Sequence, residues 1–234
     1  PLFLSTVTYD LRGQGATSVA VADMNRDGKP DLLVTNYCGE DCTQGRVDVL
    51  LGNGDGTFQP AVSYTSGGSI ATSVAVADVN GDGTADLVVT NFCTSSSNCP
   101  PLDGAFGSFG AVTVLIGKAD GTFQSPVTYC SGGYGAVSVA VEDVNGDGKP
   151  DLLVANHSPI TNRSVGVLIG NGDGTFQTAV TYGSGGIDAS WITVADVNGD
   201  GKPDLLVINE IDGSASANGV LGVLLGNGDG TFKT

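Results

Sequence analysis

The feature that most constrains the fold is a unit that recurs four times along the 234-residue chain. Each unit contains a nine-residue stretch such as "DVNGDGKPD". These stretches follow one another at spacings of 55, 65 and 53 residues and open at Asp23, Asp78, Asp143 and Asp196. A second marker, "GNGDGTF" or "GKADGTF", begins at Gly52, Gly117, Gly170 and Gly226. A repeat of this length indicates one supersecondary unit stacked several times, since a single unit cannot bury its own apolar face.

Every unit contains four short strand signals, of the types "SVAVAD", "DLLV", "GRVDVLLG" and "TFQPAVSY". Turns rich in Gly, Asn and Asp separate them, and no segment has the 3.6-residue period of a helix. The sequence therefore predicts an all-β fold: a β-propeller of four four-stranded blades, with residues 1–234 as a single domain. A β-sandwich built from repeated hairpins is the alternative, although a sandwich needs no fixed period.

The two ends of the chain predict how the ring closes. The N-terminal "FLSTVTY", residues 3–9, matches the complete fourth strand "FQTAVTY" of residues 176–182, whereas the last unit stops at "GTFKT". We therefore expect the N-terminal strand to pair into the last blade and remove an open edge. Pairing with the next copy in a longer array is the alternative. In the last unit we assign Trp191 to the core, in the inner-strand position of Val74.

The charge balance excludes two classes of partner. The formal net charge is -16 and the pI is near 4.1, with no basic patch. Such a surface repels nucleic acid and anionic lipid. No apolar run approaches the roughly 18 residues of a membrane span. We therefore expect neither nucleic-acid binding nor membrane insertion.

The nine-residue stretch has the donor pattern of a calcium site. In the first copy the oxygen donors are Asp23, Asn25, Asp27, the carbonyl of Lys29, and Asp31. Six to eight hard oxygen ligands are what Ca²⁺ prefers. An EF-hand is excluded because its twelfth position needs Glu, whereas these loops have Val34, Val89, Val154 and Val207 there. Asx turns held only by local hydrogen bonds are the alternative.

The unit "VADVNGDGKPDLLV…VLLGNGDGTF" closely resembles the FG-GAP/VCBS repeats, which also build the integrin α-subunit propeller. The resemblance covers all four units and implies a calcium-stabilised propeller, with about four Ca²⁺ ions, in a secreted or cell-surface protein. Integrin-type propellers have seven blades, whereas this chain has four units. The ligands that the resemblance implies in the other loops are Asp78, Asn80, Asp82, Thr84, Asp86, Asp143, Asn145, Asp147, Lys149, Asp151, Asp196, Asn198, Asp200, Lys202 and Asp204.

The second marker and the cysteines have structural interpretations. Asn53-Gly54-Asp55-Gly56 is typical of a hairpin turn, because Asn-Gly and Asp-Gly accept positive φ. Equivalent placement in the variable loops of units one and two predicts two local disulfides, Cys38–Cys42 and Cys93–Cys99, in an oxidising compartment. Cys130 is then left over, and three states stay open for it: buried, free, or bonded to another chain.

The variable loops predict where a ligand binds. They differ in every unit and lie at the end of the strands opposite the calcium loops and the "NGDG" turns, and variation on a rigid scaffold is typical of recognition. Aromatic residues that stack on sugars would be Tyr37, Phe92, Phe106, Phe109 and Tyr134. The single histidine, His157, is interpreted as an ordinary surface residue, so no catalytic group is assigned.

The sequence therefore predicts a non-enzymatic extracellular binding or adhesion module for a glycan or protein ligand. The alternative is a structural repeat unit that self-associates into a larger extracellular array or filament.

Overall fold

The computed structural model describes residues 6–39, 44–92, 109–157, 164–211 and 218–233. Within these ranges fifteen strands form four antiparallel sheets, and the predicted all-β class is confirmed. The described residues include no helix long and apolar enough to cross a membrane.

Each of the first three sheets is a four-stranded meander. Sheet 1 consists of β1 (Gln14–Ala22), β2 (Asp31–Cys38), β3 (Arg46–Leu50) and β4 (Val62–Thr65). Sheet 2 consists of β5 (Ala71–Ala77), β6 (Asp86–Asn91), β7 (Phe109–Leu115) and β8 (Val127–Tyr134). Sheet 3 consists of β9 (Ala136–Glu142), β10 (Asp151–Asn156), β11 (Ser164–Leu168) and β12 (Val180–Gly183). Sheet 4 has three strands: β13 (Ile187–Ala195), β14 (Asp204–Ile211) and β15 (Val220–Leu224).

The nine-residue stretch forms the turn between the first two strands of every sheet. In sheet 1 Ala22 pairs with Asp31, and the other three sheets have the same register. The middle strands are apolar on both faces, and β6 and β10 are buried along their whole length. Strands buried on both faces require a neighbour on each side, so each sheet needs the next one.

Three hydrophobic clusters join the sheets in chain order. Each cluster combines side chains of two successive sheets: 1 with 2, 2 with 3, and 3 with 4. The first strands also contact one another in succession, β1 with β5, β5 with β9, and β9 with β13. No cluster of the described residues joins sheet 4 to sheet 1.

A repeated hydrogen-bonded contact fixes the linker between sheets. The Ser66 hydroxyl donates to Asn91 Oδ1 at 2.5 Å, and Asn91 Nδ2 donates back to the Ser66 carbonyl at 2.8 Å. The same contacts recur between Ser131 and Asn156 and between Ser184 and Asn209. Gly68 must be glycine, because a Cβ there would lie 2.4 Å from Asn91 Cβ. The sequence interpretation missed this contact.

The predicted closure by the N-terminal strand is wrong for the part of that segment which the structure describes. Residues 6–13 form no strand, and sheet 4 keeps three strands among the described residues. Instead, the Tyr9 ring packs edge-on against Phe58 of sheet 1, with centroids 5.5 Å apart. Residues 1–5, including Phe3, lie outside the described residues.

The core assignment of Trp191 is also wrong. Trp191 pairs with Ile208, and Ile192 pairs with Val207, so Ile192 takes the position that Val74 has opposite Val89. Counted from the loop aspartate, Trp191 corresponds to Ser73, which faces the following sheet. No sheet follows sheet 4 in the structure, so the Trp191 side chain is exposed.

Candidate functional site

The four nine-residue loops adopt one hydrogen-bonding pattern, best seen in the third. Asp143 Oδ1 accepts hydrogen bonds from the amides of Gly146 and Asp147, at 2.7 and 3.2 Å, and its Oδ2 accepts from Gly148 at 2.8 Å. Asn145 Oδ1 also accepts from the Asp147 amide, at 2.8 Å. The first and third side chains of the loop therefore bring their oxygens to one backbone amide. The second and fourth loops repeat this arrangement, and the first differs only at Arg26.

The fifth side chain of each loop holds the seventh residue. Asp147 Oδ1 accepts the amide of Lys149 at 2.9 Å, and Asp27 accepts that of Lys29 at the same distance. The Lys29 ammonium lies 3.6 Å from Asp27 Oδ2. Both side chains are well exposed, so this ion pair contributes little to stability. The fifth-position carboxylates are exposed in all four loops, whereas the first-position carboxylates are half-buried in the first three loops and exposed in the fourth.

The ninth side chain behaves differently from the other predicted ligands. Asp151 is fully buried, and its two oxygens accept the amides of Val144 and Gly170, at 3.0 and 2.8 Å. Burial raises the pKa of Asp151, against the lowering effect of those two hydrogen bonds. The equivalents Asp31, Asp86 and Asp204 make the same pair of contacts. The ninth carboxylate therefore joins the loop to the "NGDG" turn, a role that its sequence position did not indicate.

The donor set fits a hard cation only in part. Among the described residues, no group of three or more His, Cys, Asp or Glu side chains is arranged to hold a metal ion. Each loop offers the carboxylates of positions one and five, an amide oxygen and a backbone carbonyl, all of which are ligands that Ca²⁺ accepts. In the third loop the first carboxylate already accepts three amides and the buried ninth carboxylate accepts two, so any ligation by either one uses its remaining lone pairs.

The "NGDG" marker forms the turn that the sequence predicted. Gly54 and Gly56 have φ values of +84° and +88°. Asp55 Oδ1 accepts both the hydroxyl and the amide of Thr57, at 2.6 and 2.9 Å. The hydrogen bond from the threonine hydroxyl is the largest cause of a lowered pKa at Asp55, and the same holds at Asp120, Asp173 and Asp229.

The variable-loop end lies opposite the calcium loops, as predicted, because β6 runs from Asp86 at the loop to Asn91. There Phe109 and Tyr134 form a register pair, and their rings stack at 5.9 Å with an interplanar angle of 15°. The Phe92 ring contacts the adjacent Gly135 and lies 5.7 Å from His157. Tyr37 is exposed in sheet 1. Phe106 lies outside the described residues.

Sequence reasoning missed an acidic residue beside His157. Asp188 has a φ of +57°, at the position where sheets 1 and 3 have Gly15 and Gly135, also with positive φ. Its side chain is largely buried, and Oδ1 lies 3.9 Å from His157 Nδ1 without a hydrogen bond to any described residue. Aligning the repeats would have shown an aspartate at the position where units one and three have glycine.

The cysteine prediction needs one correction. Cys38 and Cys130 are both disulfide-bonded, so Cys130 is not left over as a free thiol. Cys42, Cys93 and Cys99 lie outside the described residues, and the two predicted local pairs therefore stay predictions.

The known proteins to which this chain is similar are much longer than the chain itself. A phosphatidylinositol-glycan-specific phospholipase D of Bos taurus is 29% identical over 170 residues, covering 63% of this chain and 19% of the relative. The integrin alpha pat-2 of Caenorhabditis elegans is 31% identical over 165 residues, covering 58% of this chain and 13% of the relative. Among solved structures, the exotype rhamnogalacturonan lyase YesX aligns with a TM-score of 0.51 and 17% identity, over 87% of this chain and 41% of the lyase. That similarity concerns the fold alone.

Family profiles match most of the chain. The profile of the FG-GAP-like repeat matches residues 37–89, 102–154 and 143–207, and that of the FG-GAP repeat matches residues 15–50 and 70–115. The chain, whose four sheets each carry the nine-residue loop and an "NGDG" or "KADG" turn, belongs to the FG-GAP repeat family.

Proposed function

We propose that this chain is a calcium-stabilised binding module of the cell exterior, with its four sheets as successive blades of one propeller-type domain over residues 1–234. The proposal is supported above all by the contrast between the two ends of the strands. At one end the same loop recurs four times with the same hydrogen bonds. At the other end the residues of the loops differ from sheet to sheet, and such variation on a rigid scaffold is typical of recognition sites.

Calcium is assigned to the side-chain and backbone oxygens of the repeated loops. In each loop the ion would be held by the first, third and fifth side chains and by the seventh carbonyl. The ion would neutralise carboxylates that otherwise repel one another within a few residues. Titration calorimetry of EDTA-treated protein is expected to detect about four Ca²⁺ ions per chain, and a complete absence of binding would refute the assignment.

The ligand face is assigned to the variable-loop end, around the stacked Phe109–Tyr134 pair and the neighbouring Phe92. Aromatic rings present an apolar face that packs on the C–H face of a sugar, with specificity supplied by nearby polar groups. We assign a glycan as the first candidate ligand and an extracellular protein as the second.

A glycan array, followed by calorimetry on the best oligosaccharide, tests this assignment. The double variant F109A/Y134A is expected to lose binding at least about tenfold, which corresponds to about 1.4 kcal/mol. Val180→Ala, an exposed apolar change on the outer strand of sheet 3, is the matched control. Unchanged affinity in the double variant, or loss only in calcium-loop variants kept saturated with Ca²⁺, would overturn the assignment.

We place the chain among binding proteins rather than enzymes. The enzyme names among its relatives belong to much longer chains, of which this sequence covers 19% and 41%. The only histidine lies against Asp188 and Phe92 rather than beside a described nucleophile. The disulfides at Cys38 and Cys130 support an oxidising, extracellular location.

A structural unit of a larger extracellular assembly is the second candidate function. It is favoured by one observation: large apolar side chains are exposed on the outer faces of sheets 1 and 4.

A further inference from the structure

One face of sheet 1 contains a group of buried oxygens that lack hydrogen-bond donors. Among the described residues, five buried side-chain oxygens have no hydrogen-bond partner, and three of them belong to sheet 1: Asn36 Oδ1, Asp48 Oδ1 and Ser63 Oγ. The Asn36 and Asp48 residues are fully buried. Because an unpaired polar atom inside a protein costs free energy, three of them in one sheet need a common explanation.

The strand register brings the three side chains together. Asp48 on β3 pairs with Val34 of β2 on one side and with Ser63 of β4 on the other. Register partners lie on the same face of an antiparallel sheet, and Asn36 is two residues after Val34, so all of them share that face. Asn36 Nδ2 donates to Asp48 Oδ2 at 3.1 Å. Turning this amide over would place two oxygens against each other, so Asn36 Oδ1 keeps its position.

The equivalent group in sheet 2 consists of Asn91, Thr113 and Thr128 and is neutral. The hydroxyls of Thr113 and Thr128 lie 3.0 Å apart, and Asn91 Nδ2 donates to the Thr113 hydroxyl at 3.2 Å. Asn91 Oδ1 accepts the Ser66 hydroxyl. Each of these side-chain oxygens has a partner, so the protein groups of sheet 2 satisfy one another.

Two substitutions leave the group in sheet 1 incomplete. Leu11 removes the hydroxyl that would donate to Asn36 Oδ1, at the position where the linkers before the other sheets have Ser66, Ser131 and Ser184. Asp48 introduces a carboxylate at the position where the other sheets have Thr113, Gly166 and Gly222. Sheet 1 therefore has one donor fewer and one negative charge more than its counterparts.

The linker covers this group in sheet 1 as it does in the other sheets. Gly13 and Gly68 pack alike, because a Cβ on either would lie 2.4 Å from the Cβ of the adjacent asparagine. Among the described residues, only the same sheet and this linker form side-chain hydrogen bonds with the equivalent asparagines, Asn91, Asn156 and Asn209. The unpaired oxygens therefore follow from Leu11 and Asp48 themselves.

Asp48 is also a buried acidic group without a basic neighbour. Its Oδ2 accepts two neutral donors, the Arg12 amide at 2.8 Å and the Asn36 side chain. Among the described residues, no Lys, Arg or His nitrogen lies within 4.0 Å of its carboxylate. Buried charges in proteins are paired or coordinate a metal ion, and the unpaired Oδ1 is the free position for such an ion.

We propose that a sodium ion binds between β2, β3 and β4, with Asp48 Oδ1, Asn36 Oδ1 and Ser63 Oγ as its side-chain ligands. All three are hard oxygen donors, which cations of this class prefer over nitrogen and sulfur. One monovalent charge neutralises the single carboxylate, whereas Ca²⁺ would leave a surplus positive charge in a buried site. This site is separate from the four calcium loops and does not depend on the function proposed above.

Urea unfolding of the full chain in saturating Ca²⁺ tests the proposal, with NaCl compared with choline chloride at equal concentration. When Na⁺ is present at ten times its Kd, mass action should raise the folding equilibrium constant of the wild type about tenfold. Asp48→Thr installs the residue type of sheet 2 and removes the charge, so its stability should be equal in the two salts. Asp10→Asn removes an exposed carboxylate from the adjacent segment and should keep the full sodium effect.

The wild type alone decides the question if Asp48→Thr does not fold. Equal stability of the wild type in the two salts would overturn the proposal, because a proton or a water molecule would then satisfy Asp48. An undiminished sodium effect in folded Asp48→Thr would overturn it too, since the ion would bind elsewhere. So would a crystal structure, grown in NaCl, in which the density between the three oxygens refines as water.

Discussion

The guanidinium of Arg26, in the loop of sheet 1, reaches the loop of sheet 2 and lies 4.0 Å from Asp82 Oδ1. Its Nη2 also donates to the hydroxyl of Thr84 at 2.6 Å and to the Asp82 carbonyl at 3.3 Å. The other three loops have glycine at the position of Arg26, and Arg26 keeps the glycine-like φ of +60°. A fixed cation therefore lies beside a proposed ligand of the second calcium ion.

Replacing Arg26 with glycine is expected to strengthen calcium binding in the second loop. The change removes a positive charge that lies 4.0 Å from a proposed calcium ligand and opposes the binding of a second cation there. It also relieves a non-glycine residue in the left-handed region. In low salt, calorimetry should show that the Kd for Ca²⁺ falls by about threefold or more at one of the proposed sites.

Arg26→Lys is the control for this prediction, since it keeps the charge on a different side chain. If Arg26→Gly and Arg26→Lys bind calcium equally, the charge of Arg26 does not influence the second site. Because both side chains of the pair are well exposed, the effect should shrink as salt is added.

The repeat period, the strand order and the loop positions could all be predicted from the sequence, because they depend on local patterns. The hydrogen bonds that the ninth aspartate accepts could not be predicted in this way. Asp31 bonds to the amide of Gly52, 21 residues away, and this contact exists only once β2 and β3 have paired. A carboxylate at the end of an acidic loop has the same sequence signature whether it binds an ion or a buried amide.

The pairing of residues 6–9 with the last sheet was predicted wrongly for a similar reason. Matching "FLSTVTY" to a fourth strand identified the type of segment correctly, and Tyr9 does occupy a fourth-strand position. The position of that segment depends on how successive sheets pack, at junctions such as the one where Val74 and Val47 share a hydrophobic cluster. Local patterns in the sequence do not encode that packing.

The exposed fifth and buried ninth aspartates are expected to respond differently to the same isosteric change. Asp147→Asn should weaken calcium binding and leave the calcium-free protein within about 0.5 kcal/mol of the wild type, as for most surface changes. Asp151→Asn should destabilise the calcium-free protein by about 1–3 kcal/mol, because an amide group must then point at the Val144 or Gly170 amide. Urea unfolding in EDTA measures both. Equal stability losses would contradict the assignment of separate roles.

The hydrogen bond between Thr122 and Asp120 is expected to make stability depend on pH in the acid range. The hydroxyl and amide of Thr122 lower the folded-state pKa of Asp120 below its ordinary value of 3.8. A carboxyl group whose pKa is lower in the folded state stabilises the fold at pH values above its unfolded-state pKa. This contribution disappears as the pH falls through the folded-state pKa. Thr122→Val should raise the pKa of Asp120, seen by NMR titration, and flatten the fall of Tm below pH 4. Thr65→Val, a threonine on the edge strand of sheet 1, is the control.

Cys130 is expected to be recovered only in a disulfide-linked peptide when the native chain is digested without reductant. The cysteine lies in β8, paired in register with Ala111 of β7, and is disulfide-bonded. Cys130→Ser should therefore lower the free energy of unfolding by about 2–4 kcal/mol in oxidising buffer, the usual loss for a native disulfide. Under reducing conditions the variant and the wild type should be nearly equal in stability, which separates the effect of the disulfide bond from that of side-chain packing.

Labelling of Cys130 by a thiol reagent in the native, unreduced protein would contradict the disulfide bond. A peptide that links Cys130 to Cys93 or Cys99 would replace the predicted local pair in sheet 2.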